Sequence, residues 1–240
     1  MREISYYEDG HVLVQESKGA NILLRLSKLE NAEIKSDVSI ALLNLSTCKF
    51  VTQLIDDGVV EAVFWLTLQD LLGMDKIVYE RCSAIIRNLC TNEKGINRVV
   101  LENKLMVVLK KMADYKDEID IKYNACISLY NIACHQDSQE LFVRNGIIPA
   151  LVGLAELGSS EVAQRMRNIA SAALHQFSQD LLKDPKIISI LMSLLTMDTA
   201  VLDDCEVIQT VKSMKGEFIK GWILKQTSCE YSFSEVMPSW

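Results

Sequence analysis

The sequence predicts an all-α chain built as a stacked solenoid, and three observations lead there. The first is a phrase that recurs at a near-fixed distance. Residues 40–46 read IALLNLS around Asn44, residues 84–90 read AIIRNLC around Asn88, and residues 127–133 read ISLYNIA around Asn131. The asparagines are 44 and 43 residues apart, and a weaker copy, AALHQFS around Gln176, follows after 45. A period of about 40–47 residues in a helical chain marks stacked helical repeats. The second observation is sparse punctuation: 3 prolines and 10 glycines in 240 residues are too few for the turns of an all-β fold. The third is helical spacing within a unit. Cys126, Leu129, Ile132 and Ala133 fall at i, i+3, i+6 and i+7, which places them on one apolar stripe.

Taken in chain order, residues 1–18 depart from the repeat and read as an N-terminal cap or partial repeat. The repeat begins with a turn-plus-helix segment at Gly19-Ala20-Asn21-Ile22-Leu23-Leu24, which recurs at Gly58-Val59-Val60-Glu61-Ala62-Val63 and, degraded, at Asn103-Lys104-Leu105-Met106. A long helix ends at each of the three asparagines. The third unit shows the plan most fully: a helix over 120–133, a polar break at His135-Gln136-Asp137, and a short helix over 138–144. Asn145-Gly146 then turns the chain, with glycine free to take positive φ. Pro149 falls in the first turn of the next helix, where its missing N–H costs nothing. That helix runs to Gly158-Ser159, and Glu161 opens another long helix through Ser178. The solenoid is expected over 19–196, with 197–240 as a helical C-terminal cap and an irregular aromatic tail; cut ends of a longer array are the alternative reading of both ends.

In these pieces the chain resembles the armadillo repeat family: the Gly146-Ile147-Ile148-Pro149-Ala150-Leu151 segment, and the Ala-Leu-x-Asn-Leu type endings at Asn44, Asn88 and Asn131. The resemblance implies a right-handed superhelical α-solenoid of about four three-helix repeats with atypical capping ends. One such repeat cannot bury its apolar faces alone, so each neighbour supplies the missing cover. A related two-helix repeat array is the alternative architecture.

The resemblance also implies a working surface. In that family the third helices line a concave groove, and the repeated asparagine hydrogen-bonds the backbone of an extended peptide, since an amide offers both donor and acceptor. The positions that carry this over are Asn44, Asn88 and Asn131, with Gln176 as the weakest match. On the same helical face stand Ile40 and Asp37; Ala84, Arg81 and Glu80; Ile127, Asn124 and Tyr123; and Ala172 and Asn168, with Arg87 and Tyr130 flanking. A second reading of the asparagines is open: an amide near a helix end also bonds a nearby loop or the next repeat. Import adaptors of the family carry tryptophan four residues before the asparagine. Here Ile40, Ala84 and Ile127 stand there, which argues against lysine-rich import signals.

The third-helix segments carry Lys35, Lys76, Arg81, Arg87, Lys122, Arg165 and Arg167 against Asp37, Glu80, Asp120 and Glu161, in a chain of net charge −7. A mildly basic strip within an acidic whole favours an acidic or mixed-charge extended partner; a set of solvated helix ends is the plainer reading. The overall charge disfavours nonspecific nucleic-acid binding. No stretch reaches the length of a membrane span, and the first ten residues lack the apolar core of a secretory signal. The expected compartment is the cytoplasm, with a nuclear or cytoskeletal association open.

The cysteines show no CxxC and no zinc spacing. Cys48, Cys82, Cys90, Cys126 and Cys134 sit near the repeat asparagines and read as small, buried core residues. His11, His135 and His175 are isolated, and no phosphate-binding loop is present, so neither an enzyme nor a cofactor is expected. The C-terminal segment gathers Trp222, Tyr231, Phe233 and Trp240, either to cap the last repeat or to dock a partner or second copy. The composite expectation is a non-enzymatic adaptor or scaffold binding an extended partner along its groove. An architectural subunit of a cytoskeletal or ciliary assembly is the alternative.

Overall fold

The computed structural model describes residues 8–47, 51–68, 76–116, 118–135, 138–155, 157 and 160–176. The chain divides into two units, Met1–Gln176 and Phe177–Trp240, and every described residue lies in the first. The expected end of the solenoid over 177–196, the cap over 197–240 and the aromatic tail therefore lie outside the described residues.

The described residues form helices and no strand. In order they are α1 (Glu8–Glu16), α2 (Gly19–Ser27), α3 (Ala32–Ser46), α4 (Val51–Asp56), α5 (Val59–Leu68) and α6 (Lys76–Leu89). They continue with α7 (Glu93–Leu101), α8 (Asn103–Ala113), α9 (Ile119–Ala133), α10 (Gln139–Arg144), α11 (Ile147–Ala155) and α12 (Glu161–Gln176). They fall into triads of a short, a middle and a long helix. The long members α3, α6, α9 and α12 have 15, 14, 15 and 16 residues.

Local chemistry sets several boundaries. Asn31 caps α3: its side-chain oxygen accepts from the Ile34 amide at 3.0 Å. Asn92 caps α7 through the Lys94 amide at 2.9 Å, and Ser160 caps α12 through the Ala163 amide at 3.2 Å. Each such cap contributes about 1 kcal/mol by satisfying a donor that the helix leaves unpaired. Pro149 is the third residue of α11, inside the first turn, where no intrahelical partner is lost.

The turns into the middle helices follow the sequence in two places and depart from it in two. Gly58 and Gly146 take φ of 93° and 63°, each just before its middle helix, α5 or α11. In the first triad the left-handed residue is Lys18, with φ 53°, and Gly19 is already the first residue of α2. The expected turn at Gly19 is thus one residue earlier, because Gly19, Ala20 and Leu23 are all buried and this register turns them inward. In the third triad Glu102 alone links α7 to α8, with φ −83° and ψ 72°, so the degraded segment there makes no left-handed turn.

The long helices pack each on the next, α3 on α6, α6 on α9 and α9 on α12, and form one layer. The middle helices α2, α5, α8 and α11 form a second layer in the same way, and each also packs on the long helix of its own triad. Between the layers lies a continuous apolar interior. Leu42, Leu66, Ile86, Leu89, Leu109 and Phe142 are among its fully buried side chains. Burying a side chain of this size stabilises the fold by about 1.5–3 kcal/mol. The stabilisation is shared between neighbours, as expected of a solenoid with no single centre.

Among the described cysteines, Cys82, Cys90 and Cys126 are buried, as the sequence suggests. Cys134 departs from that expectation and is exposed. It is the C-cap of α9, one residue beyond the last turn that packs inward. Cys48 lies outside the described residues.

Candidate functional site

The candidate site is the strip that the long helices present on the side away from the middle layer. Ile40, Ala84 and Ile127 occupy the same register on α3, α6 and α9, and all three are half-buried, as is Ala172 on α12. They form an apolar row across adjacent helices. One turn further along each helix stand Asn44, Asn88 and Asn131, also half-buried. Gln176 ends α12 and is exposed. The strip is therefore a contiguous set of side chains drawn from different triads, brought together because the period matches one helix-to-helix step.

The polar residues of this strip do not all face outward. Asn88 Nδ2 donates to Ser46 Oγ on α3 at 2.9 Å. Arg81 Nη1 donates across the same seam to Ser36 Oγ at 3.1 Å, Ser39 Oγ at 3.2 Å and the Ser36 carbonyl at 3.3 Å. On the next seam, Asn124 Nδ2 donates to Ser83 Oγ at 2.9 Å, while its Oδ1 accepts from Arg87 Nη1 at 2.9 Å. Asn124 is only 7% exposed, so its amide joins α9 to α6. These bonds form a ladder between long helices, with serines and the Asn124 amide oxygen as the acceptors.

Asn44 is engaged as well, whereas Asn131 differs. Among the described residues no hydrogen bond reaches the Asn131 amide, although it is half-buried on the strip. The residue that matches Ser46 one repeat later is Cys90, a thiol where the first seam has a hydroxyl. Cys90 is buried beside the Ser128 hydroxyl, and burial pushes its thiol up to about 12. A thiol is a weak acceptor, so the rung is absent at that step. Asn44, Asn88 and Asn131 are one motif in sequence, but Asn88 is tied to the adjacent helix and Asn131 is left with its amide available.

Tyr130 lies half-buried beside Asn131. A hydrogen bond with Cys134, one turn on, pushes its phenol above the ordinary value of 10.0. Arg81 and Arg87 are half-buried, and among the described residues neither pairs with a carboxylate. Each uses one guanidinium nitrogen toward hydroxyls, a carbonyl or an amide, none of which neutralises its charge. Lys35, counted with the basic strip in sequence, is 4% exposed and lies within the packing. Burial is the main cause that holds its ammonium below the ordinary 10.5, against the opposing pull of Glu30. It supplies no surface charge. Lys76 is paired with Glu118 and Arg165 with Glu161, whereas Arg81, Arg87 and Lys122 meet no carboxylate among the described residues.

Two features escaped the sequence reading. The seam serines left a signal: Ser39 and Ser83 each stand five residues before their asparagine, 44 residues apart. The other is an aromatic pair on α5, Phe64 and Trp65, whose ring centroids are 5.9 Å apart. It belongs to no repeat position, so periodicity gives no sign of it. Trp222, Tyr231, Phe233 and Trp240 lie outside the described residues. Among the described residues no group of His, Cys, Asp and Glu could hold a metal ion, and no helix is long and apolar enough to cross a membrane.

No protein-family model matches the chain, and none of the curated proteins does. Solved structures do. An engineered protein is 21% identical with a TM-score of 0.63, over 89% of this chain and 87% of that one. A designed armadillo repeat protein is 18% identical with a TM-score of 0.62, over 89% of this chain and 88% of that one. Another designed armadillo repeat protein, solved in complex with the peptide (KR)4, is 17% identical with a TM-score of 0.62, over 90% and 89%. At these identities the likeness is one of fold, and together with the triads and their two layers it shows that the chain is an armadillo-like all-α repeat solenoid.

Proposed function

We propose that this protein is a non-enzymatic scaffold that holds an extended, acidic segment of a partner protein along the strip of its long helices. The observation that carries this reading is the pair Arg81 and Arg87. Both guanidiniums are half-buried at the middle of the strip, held in place by uncharged groups and left without a carboxylate among the described residues. A carboxylate can engage their remaining N–H donors in the bidentate manner that guanidinium favours. The row of Ile40, Ala84 and Ile127 offers apolar contact alongside, and the Asn131 amide offers a donor and an acceptor to a peptide backbone. The designed armadillo repeat protein solved with the peptide (KR)4 supports the general mode, a peptide bound by a similar fold, with the opposite partner charge. The buried thiols of Cys82, Cys90 and Cys126, none of them in a disulfide, suit a reducing compartment, and we assign the protein to the cytoplasm on that ground.

The test is fluorescence anisotropy with two labelled extended peptides of equal length, one alternating glutamate with leucine and one alternating lysine with leucine. The acidic peptide binds more tightly, and salt weakens it. The Arg81→Gln, Arg87→Gln double variant loses roughly tenfold or more in affinity, since a hydrogen bond to a charged group contributes about 1.5–3 kcal/mol. Tighter binding of the basic peptide, or unchanged acidic-peptide affinity in a double variant that melts normally, overturns the proposal.

A further inference from the structure

The middle-helix layer carries a second surface that the strip does not explain. Its centre is the aromatic pair on α5. Phe64 and Trp65 are both only half-buried, and each is met by a lysine from a different neighbouring triad. Lys28, just past the end of α2, sits over the Trp65 ring with Nζ 5.6 Å from the centroid. Lys104, in the first turn of α8, sits over the Phe64 ring at 5.1 Å. Glu61, one turn before Trp65, ties the group together: its Oε1 accepts from Lys28 Nζ at 3.0 Å and from Trp65 Nε1 at 3.3 Å. Thus α2, α5 and α8, which pack side by side, are bridged on their exposed face by an aromatic–cation array.

The charge of this face runs against that of the chain. Glu61 is the single acid within α2, α5 and α8, and it is already paired with Lys28. The basic residues Arg25, Lys104, Lys110 and Lys111 lie in the same three helices, in a chain whose net charge is −7. Exposed aliphatics accompany them: Ile22 on α2, Leu68 on α5 and Val107 on α8, with Ile22 48% and Val107 44% exposed. Lysines held over ring faces are partly ordered before any partner arrives, so less freedom is lost when an anion joins them.

We infer that this face of α2, α5 and α8 is a docking surface for an acidic segment of another protein that carries apolar anchors. Its carboxylates meet Arg25, Lys104 and Lys111, and its apolar side chains pack on Phe64, Trp65 and Val107. Charge complementarity selects an anionic partner. The exposed aliphatics Ile22, Leu68 and Val107, spread over three helices, select a peptide with apolar side chains over a nucleic acid, whose bases stack on rings alone. This surface faces away from the long-helix strip, so the two sites are separable.

The test uses the full purified chain and a labelled peptide in which glutamates alternate with phenylalanines. Two variants are compared with the wild type: Lys104→Gln with Lys111→Gln for the middle-helix face, and Arg81→Gln with Arg87→Gln for the strip. Both lysines are exposed, so the first variant leaves the packing intact, and a normal melting curve verifies this. The expected result is about a fivefold weaker binding at one site in the lysine variant, from the loss of two exposed ion pairs. Retained binding at that site in the arginine variant completes the expected pattern. In addition, Phe64→Leu, which keeps most of the buried volume, lowers peptide affinity without changing the salt dependence. Peptide binding lost only in the arginine variant overturns the docking surface and leaves the strip standing. Binding lost only in the lysine variant supports the docking surface and removes the strip. Lysine-dependent binding of phosphatidylserine vesicles or of a single-stranded oligonucleotide that outcompetes the peptide overturns the choice of a protein partner.

Discussion

Asn88 on α6 donates a hydrogen bond of 2.9 Å to the hydroxyl of Ser46 on α3, 42 residues earlier in the chain. The bond crosses from one triad to the next, so it measures how far the repeat asparagine acts as a brace. Replacing Asn88 by Ala should cost about 1 kcal/mol in urea unfolding, the usual net worth of such a bond. The Asn88→Ala, Ser46→Ala double-mutant cycle should return a coupling of about 0.5–1.5 kcal/mol. Asn131→Ala, with no such partner among the described residues, should stay within about 0.5 kcal/mol of the wild type. Equal costs at the two asparagines would contradict the difference between the seams.

Asn124 should be the costliest amide of the strip. Its removal leaves the Ser83 hydroxyl and one Arg87 donor without their partner in the seam between α6 and α9. Asn124→Ala is expected to lower stability by about 2–3 kcal/mol, since it removes two bonds, one of them to a charged guanidinium. Chemical denaturation monitored by circular dichroism checks this. A loss no larger than that of Asn88→Ala would show that the two-sided bonding of Asn124 adds nothing.

Two glycines should respond in opposite directions to alanine. A Cβ on Gly95 in α7 would lie 2.0 Å from the Leu89 carbonyl oxygen and 3.3 Å from Ile55 Cδ1. The helix must shift away from the end of α6, and Gly95→Ala should destabilise by about 1–3 kcal/mol. Gly153 lies inside α11 with nothing within 4 Å of its would-be Cβ. Gly153→Ala should stabilise by up to about 1 kcal/mol through helix propensity. Melting temperatures of the two variants should move to opposite sides of the wild type.

The buried thiols make stability fall in alkali. Burial pushes Cys90 and Cys126 from the ordinary 9.0 up to about 12. The folded state thus keeps both protonated where the unfolded chain ionises. Their contribution is fully present below pH 9.0 and is lost as pH rises from there toward about 12. Urea midpoints measured across that window should fall with pH, and the Cys90→Ala, Cys126→Ala variant should show a flatter slope. In the native protein near neutral pH, iodoacetamide followed by peptide mapping should label Cys134 ahead of Cys82, Cys90 and Cys126, since it alone of these is exposed. Early labelling of Cys90 would mean that the seam opens.

The sequence by itself determined the helical repeat, its phase and the helices of the third unit nearly to the residue. Period, caps and turn glycines are local: Asn31, Asn92, Gly58 and Gly146 act on backbone a few residues away. Even so, the first turn moved to Lys18, because burial of Gly19, Ala20 and Leu23 outweighed the cost of a left-handed lysine. The strip was legible as a set of positions, Ile40, Ala84 and Ile127 beside Asn44, Asn88 and Asn131. Its chemistry was decided by tertiary structure. Whether an asparagine braces or remains available depends on the residue opposite it on the preceding helix, Ser46 for Asn88 and Cys90 at the matching position for Asn131. Lys35 and Asn124 turned inward because the neighbouring helix covers them, and Arg81 and Arg87 meet hydroxyls, a carbonyl and an amide in place of a carboxylate. The face built by Lys28, Trp65, Phe64 and Lys104 joins three triads. A repeating pattern states what each helix carries; only the packing of one helix on the next states which side chains meet.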